Sequence, residues 1–220
     1  DKNKEDIFIT IPVEEGARYR VGKIKVQEDG TFGSEELKAP LKIEEGQIYN
    51  VSKLREDILT ITELYSQKGY AYADVSPVTK INEEKRTVDL AIKVDKGRQV
   101  FVGQVNINGN TITRDNVIRR EFRLKEGQVF DSQKLKRSRQ RINNLGFFDD
   151  VKVETKPGQG PDLIDIDTAV VERPTGTFSL GAGFSSVDNV IFNSAVSQNN
   201  LFGRGQRLNF SIQTSSRRTN

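Results

Sequence analysis

Two stretches of this chain are one stretch written twice, 81 residues apart. Glu15-Gly16-Ala17-Arg18-Tyr19-Arg20-Val21-Gly22-Lys23-Ile24-Lys25-Val26 lies over Lys96-Gly97-Arg98-Gln99-Val100-Phe101-Val102-Gly103-Gln104-Val105-Asn106-Ile107. The same offset carries Leu41–Asn50 onto Phe122–Asp131. A repeat of this length is one structural module used in series, so function is sought in the array and its surfaces ahead of any catalytic pocket.

Copy one runs from about Gly16 to Asp95 and copy two from about Gly97 to Glu172. Each opens on an alternating stretch that reads as a strand: Tyr19, Val21, Ile24 and Val26 in the first, Val100, Val102, Val105 and Ile107 in the second. The alternation slips phase at Gly22 and Gly103, which marks a β-bulge. A short helix follows, opening near Ser34 or Thr113 as N-caps. The Glu45-Gly46 and Glu126-Gly127 pairs break the chain before a second helix, capped by Asn50 or Asp131. Leu54, Ile58, Ile61 and Leu64 form its apolar stripe in copy one. Gly69 and Gly146 close the second helices. Bringing them into register drops the offset from 81 to 77, so the first of these helices is about one turn longer.

A hairpin ends each copy. Its first strand is expected over Tyr70–Val78 or Phe147–Thr155, and its second carries Val88, Leu90, Ile92 and Val94 or Ile164, Ile166, Thr168 and Val170. The module is therefore β-α-α-β-β, of α+β class, with two helices covering one face of a sheet. Ile7, Ile9, Ile11 and Val13 overlay the last strand of copy one, so residues 1–14 read as the end of a truncated upstream copy. The lack of any Met agrees with a processed or excised piece.

After Arg173-Pro174 the composition changes. Phe178, Leu180, Ala182 and Phe184 alternate with small polar residues. The pattern returns over Val190–Val196 and at Leu208, Phe210 and Ile212, with turns at Asp188-Asn189 and Gly203-Arg204-Gly205. Strands of about ten residues with one apolar and one small-polar face are the pattern of an outer-membrane β-barrel, and three strands cannot close one. With neither Cys nor His, thiolate and imidazole metal sites, Cys nucleophiles and Ser-His triads are excluded, and no cofactor or metal site is expected. A net charge of +3 does not by itself imply nucleic-acid binding, and no aromatic platform accompanies the charge.

The module, with Gly69-Tyr70 and with Leu145-Gly146-Phe147-Phe148-Asp149-Asp150-Val151, resembles the POTRA domains of the Omp85 superfamily. The run Val171-Glu172-Arg173-Pro174-Thr175-Gly176-Thr177-Phe178 resembles the junction into the first barrel strand of BamA-type assembly factors. One departure is Pro174, where polar residues are common in the family. The resemblance implies a truncated POTRA strand over 1–14, POTRA domains over 15–95 and 96–173, and over 174–220 the first antiparallel strands of an incomplete transmembrane β-barrel. It also implies a non-enzymatic role: a periplasmic region that receives unfolded outer-membrane protein clients and binds accessory lipoproteins, beside a barrel in the outer membrane. A two-partner-secretion or TamA-like translocation protein would use the same modules for other clients.

Three surfaces follow. Edge strands carrying Tyr70, Tyr72 and Val75, or Phe147, Val151 and Val153, are candidates for strand addition by an extended client, although charges such as Lys152, Glu154 and Lys156 are the usual defence of an edge. The segment Arg119, Arg120, Glu121 matches the region that, by the resemblance, helps dock an accessory lipoprotein, with Glu121 the preferred contact. An exposed ion-pair face is the alternative. The basic helix with Lys134, Lys136, Arg137 and Arg141 is either a solvated face or attracted to anionic lipid headgroups of the outer membrane. Carboxylate pairs such as Asp149-Asp150 have no partner base and give no catalytic site.

Overall fold

A computed structural model describes residues 17–27, 30–185 and 189–215. The strand expected within residues 1–14, and Asp188 of an expected turn, lie outside the described residues. The elements are β1 (Arg20–Val26), α1 (Ser34–Lys38), α2 (Val51–Gln67), β2 (Asp74–Asn82) and β3 (Thr87–Asp95), then β4 (Phe101–Asn108), α3 (Asp115–Arg119), α4 (Ser132–Asn144), β5 (Phe148–Pro157) and β6 (Leu163–Glu172). Strands β7 (Gly176–Ser185), β8 (Asn189–Leu201) and β9 (Gln206–Ser215) follow. The order β-α-α-β-β holds in both copies. Two compact units result, one within residues 1–62 and 74–95, the other within 63–73 and 96–220.

Each copy forms one three-stranded sheet, ordered β1-β3-β2 and β4-β6-β5. The hairpin pairs antiparallel, whereas the first strand of each copy pairs parallel with the last, which requires the helical crossover between them. Register slips between Val21 and Ile24 and between Val102 and Val105, the two bulges marked by Gly22 and Gly103. Each bulge is fastened by carboxylates. Asp89 accepts from the Lys23 N–H (2.8 Å) and Asp165 from the Gln104 N–H (2.7 Å), and any side chain at Gly22 or Gly103 would run into that carboxylate. Glu45 and Glu126 accept from the next free strand amides, Ile24 N–H (2.9 Å) and Val105 N–H (3.0 Å).

Helix boundaries follow local capping. Asn50 accepts from the Ser52 and Lys53 amides, and Asp131 from the Lys134 amide. Gly69 (φ 92°) and Gly146 (φ 72°) end α2 and α4 in the left-handed region that favours glycine. Helix α2 has 17 residues and α4 has 13, one turn apart. The short helices start differently from the sequence expectation: their N-caps are Gly33 and Arg114. The Gly33 amide donates to the Glu36 carboxylate, while the Thr113 hydroxyl is taken by a residue far along the chain.

Alternation along β3 and β6 buries Val88, Leu90, Ile92 and Val94, and Ile164, Ile166, Thr168 and Val170, on the face toward the helices. Buried beside them are two polar residues at equivalent positions of the second helices. Asp57 accepts from the Lys42 (2.7 Å) and Ile43 (2.9 Å) amides; Ser138 accepts from the Arg123 amide (2.8 Å). Both tie the loop between helices to the second helix.

Strands β7, β8 and β9 form an antiparallel meander whose register pairs Phe178 with Val196 and Val196 with Phe210. One face therefore gathers Phe178, Leu180, Phe184, Phe192, Leu208, Phe210 and Ile212, all exposed, Phe184 to 89%. So large an uncovered apolar face suits lipid rather than water.

Candidate functional site

The first strand of each sheet is engaged on its outer side over its first half. Val21 and Val102 exchange hydrogen bonds with residues 46–47 and 127–128, and bridges join Arg20 to Ile48 and Phe101 to Val129. The opposite edges, β2 and β5, pair with no further segment among the described residues, and their outward peptide groups follow from the pairing. The carbonyls of Arg86 and Ile92 accept from Arg20 and Gln27, so alternate residues of β3 point their peptide groups at β1. Their partners on β2, namely Val75, Pro77, Thr79 and Ile81, then turn theirs to the edge. Pro77 has no N–H, which removes one donor from the middle of that edge.

The same reasoning applies to β5. The Asp162 carbonyl accepts from Phe101, so Val151, Val153, Thr155 and Pro157, the partners of β6's alternate residues, face outward. The Val151 carbonyl is already occupied, since Arg139 on α4 donates its Nε–H to it at 2.9 Å. Pro157 again has no donor. Among the described residues, the uninterrupted stretch of β2 is Thr79–Ile81 and that of β5 is Val153–Thr155.

Tyr70, Tyr72 and Phe147 are corrected by this geometry. The chain leaving α2 turns before it extends: the Tyr70 amide donates to the Tyr65 carbonyl (3.1 Å) and the Ala73 amide to the Tyr70 carbonyl (3.2 Å). Strand β2 begins only at Asp74, and the Tyr70 ring packs edge-on against Tyr65. Phe147 precedes β5, is buried, and its carbonyl accepts from the Arg173 amide. The side chains of Val75 and Val151 are buried, so these residues present backbone only.

Arg119, Arg120 and Glu121 lie together at the end of α3, but each has its own task. Arg119 grips Asp115 through two bonds (2.8 and 3.0 Å) and donates to the Val105 carbonyl (3.0 Å). The Asp115 hydrogen bond raises its already high pKa, so it stays charged. Glu121 is paired with Arg141 at 2.8 Å and with Arg120 at 3.4 Å, and only 14% of its side chain is exposed. Beside them is a cleft of about 420 Å³ lined by Val105, Arg119, Arg120, Phe122, Leu124, Lys125 and Glu126. The first copy has the same cleft at the matching positions Ile24, Lys38, Leu41, Ile43 and Glu45, reduced to about 140 Å³.

On α4, Leu135, Ser138 and Ile142 face inward. Lys134 is tied to Asp131 (3.5 Å) and Arg141 to Glu121, which leaves Lys136 and Arg137 as the exposed cations of the group with no such tie among the described residues. At the far end of the second module, the Glu172 carboxylate accepts from the amides of Thr111 (2.9 Å), Ile112 (2.8 Å) and Thr113 (2.6 Å) and from the Thr111 hydroxyl (2.7 Å). Partial burial pushes its pKa up, but the bonds from Thr113, Thr111 and Ile112 outweigh that and hold it at about 2. Among the described residues no cluster of acidic side chains has the makings of a metal site.

The family model for POTRA, described as a surface antigen variable number repeat, matches residues 19–97 and 100–173. The chain belongs to the POTRA family. Both POTRA modules and the strands after them align with outer membrane protein assembly factor BamA of Neisseria meningitidis serogroup B, 36% identical over 94% of this chain, and with that of Neorickettsia risticii, 36% identical over 98%. The chain spans 26% and 29% of the length of those relatives. Among solved structures, BamA from Haemophilus ducreyi lacking POTRA domains 1–3 superposes with a TM-score of 0.77 at 27% identity, over 90% of this chain and 37% of that one. Haemophilus influenzae BamA POTRA3–5 gives 0.65 at 27% identity, over 72% and 63%.

Several residues that matter here carry no motif. Asp57 was visible only as a charge set between Leu54 and Ile58 on an apolar stripe, with Ser138 as its counterpart. Arg139 looks like any other cation of α4, and Asn200 like any other polar strand residue.

Proposed function

We propose that this chain is the periplasmic client- and partner-binding region of an outer-membrane β-barrel protein assembly and insertion factor, joined to the first strands of its barrel. POTRA modules span 15–95 and 96–173, and the strands after Pro174 belong to the outer membrane. The observation that carries the reading is the agreement of two POTRA modules and an apolar-faced strand meander in one chain similar to BamA proteins over nearly its whole length. The role is one of binding and not of catalysis.

Clients are unfolded outer-membrane proteins, which add in extended form to the open edges at Thr79–Ile81 and Val153–Thr155; backbone pairing of this kind is tolerant of client sequence. Accessory outer-membrane lipoproteins dock at the Arg119–Glu121 segment, with the apolar floor of the adjacent cleft supplying contact area and Arg120 and Lys125 at its rim. Lys136 and Arg137, with Lys134 and Arg141, face anionic headgroups of the membrane. The test is a titration of the chain with a urea-unfolded outer-membrane barrel polypeptide and, separately, with an unfolded helical polypeptide of similar length. Preferential binding of the barrel polypeptide is expected, and equal binding of both would overturn the reading.

A further inference from the structure

Asn200, at the end of β8, is 4% exposed although it stands in the strand meander, because the β8–β9 turn is seated on the second POTRA module. Its Nδ2 donates to the Thr113 hydroxyl at 2.9 Å, and its Oδ1 accepts from the Gly205 amide at 2.7 Å. Thr113 is itself 2% exposed. A second bond crosses beside the first, from the Arg114 amide to the Gly203 carbonyl at 2.9 Å. Gly203 and Gly205 both have φ of 68°, and room is scarce at each. A Cβ on Gly203 would run into the Ile112 carbonyl, and one on Gly205 into Arg120 and Val117. The turn thus fits the loop ahead of α3 by backbone contact, while Glu172 holds the same loop through Thr111, Ile112 and Thr113.

The joint is open on one side. Beside the Thr113–Asn200 bond lies a cleft of about 280 Å³ lined by residues that include Phe147, Pro174, Gln198 and Asn200. Directed hydrogen bonds hold module and strands in this position, with Val117 and Phe147 against the turn at Gly205. Such a contact has discrete made and broken states, and the cleft gives water a route to the polar groups that separation would expose. We propose that Asn200 and Thr113 form a releasable latch that fixes the second POTRA module on the β8–β9 turn. Its opening frees the module from the strands without unfolding either. Asn200 acts here as a positioning residue through Thr113 and Gly205, so the latch is independent of which clients or partners the protein binds.

Amide hydrogen exchange of the 220-residue chain in detergent micelles tests this. In the unaltered chain the Arg114 and Gly205 amides should exchange together and at least about tenfold faster than Ile142 and Ile166, as expected for a local opening below the global one. Asn200→Leu and Thr113→Val should each speed Arg114 and Gly205 by a further factor of about ten or more, leaving Ile142 and Ile166 unchanged. Thr113→Ser, which keeps the hydroxyl, should leave all four near the unaltered rates. Unchanged exchange at Arg114 and Gly205 in the first two variants would overturn the latch. So would acceleration that reaches Ile142 and Ile166 equally, or an unaltered chain in which all four amides exchange at one rate, because Asn200 would then belong to the fold of the module and not to a joint.

Discussion

Glu121 and Arg141 are joined at 2.8 Å between the end of α3 and the last turns of α4, so the carboxylate expected to meet a partner is already engaged within its own module. Arg120 adds a second cation at 3.4 Å. Glu121→Lys would set three cations together, the new one largely shielded and its two neighbours about half exposed, and its effect will not be confined to binding. A loss of roughly 1–3 kcal/mol is expected, between the values typical of exposed and buried pairs. Urea unfolding of Glu121→Lys, Arg141→Glu and the exchanged pair measures it. Recovery in the exchanged pair identifies the ion pair as the cause, and a stability change under about 0.5 kcal/mol in Glu121→Lys would return the residue to the ordinary surface class.

The two copies solve one problem with different chemistry, which sets up a comparison inside one molecule. Asp57 satisfies the Lys42 and Ile43 amides, whereas Ser138 satisfies only that of Arg123. Asp57→Ala leaves two amides unpaired and should cost about 2–5 kcal/mol; Ser138→Ala should cost about 1–2 kcal/mol. Denaturant midpoints of the two variants decide it. Equal costs would mean that water reaches the loop amides of the first module.

Much of the fold was legible because the signals were local. Asn50, Asp131, Gly69 and Gly146 act on their own helix ends, and the phase slip at Gly22 and Gly103 is visible within five residues. Tyr70 and Tyr72 misled for the same reason: alternating aromatics resemble a strand, but the turn that closes α2 claims those backbone groups first. The candidate site was legible in part. Pairing arithmetic locates the open edges, yet what occupies them depends on contacts without periodic trace, such as Arg139 with Val151, 12 residues away, or Asn200 with Thr113, 87 away.

Glu172 gives the module a pH dependence of known sign. Its pKa falls from 4.5 to about 2 on folding, so its contribution to stability is complete above the unfolded value and is lost as pH falls through the folded one. Between about pH 4.5 and 2 the stability gap between the unaltered chain and Glu172→Gln should therefore narrow steadily. Unfolding midpoints taken across that range check it. A gap that stays constant down to pH 2 would mean the carboxylate is not bonded to Thr111, Ile112 and Thr113 in solution.

The last expectation concerns how the second sheet controls access to its own edge. An extended chain adding to β5 needs the outward groups of Val151, Val153 and Thr155 in succession, and Arg139 withholds the first of them. Helix α2 has Ile58 at the matching position, which cannot cap a carbonyl, and on β2 Pro77 interrupts the edge instead. A proline thus shortens each edge, and on β5 Arg139 shortens it further, a common protection against unwanted pairing. Arg139→Ala should free one acceptor and tighten binding of an extended barrel-strand peptide by roughly 0.5–1.5 kcal/mol, the net value of one hydrogen bond. Pro77→Val should do the same at β2 by restoring a donor. The control is a peptide N-methylated at alternate residues, which cannot pair through its backbone and should gain nothing from either substitution. If Arg139→Ala binds the plain and methylated peptides alike, the client is held by side chains elsewhere, and Arg139 serves only to fasten α4 to the sheet.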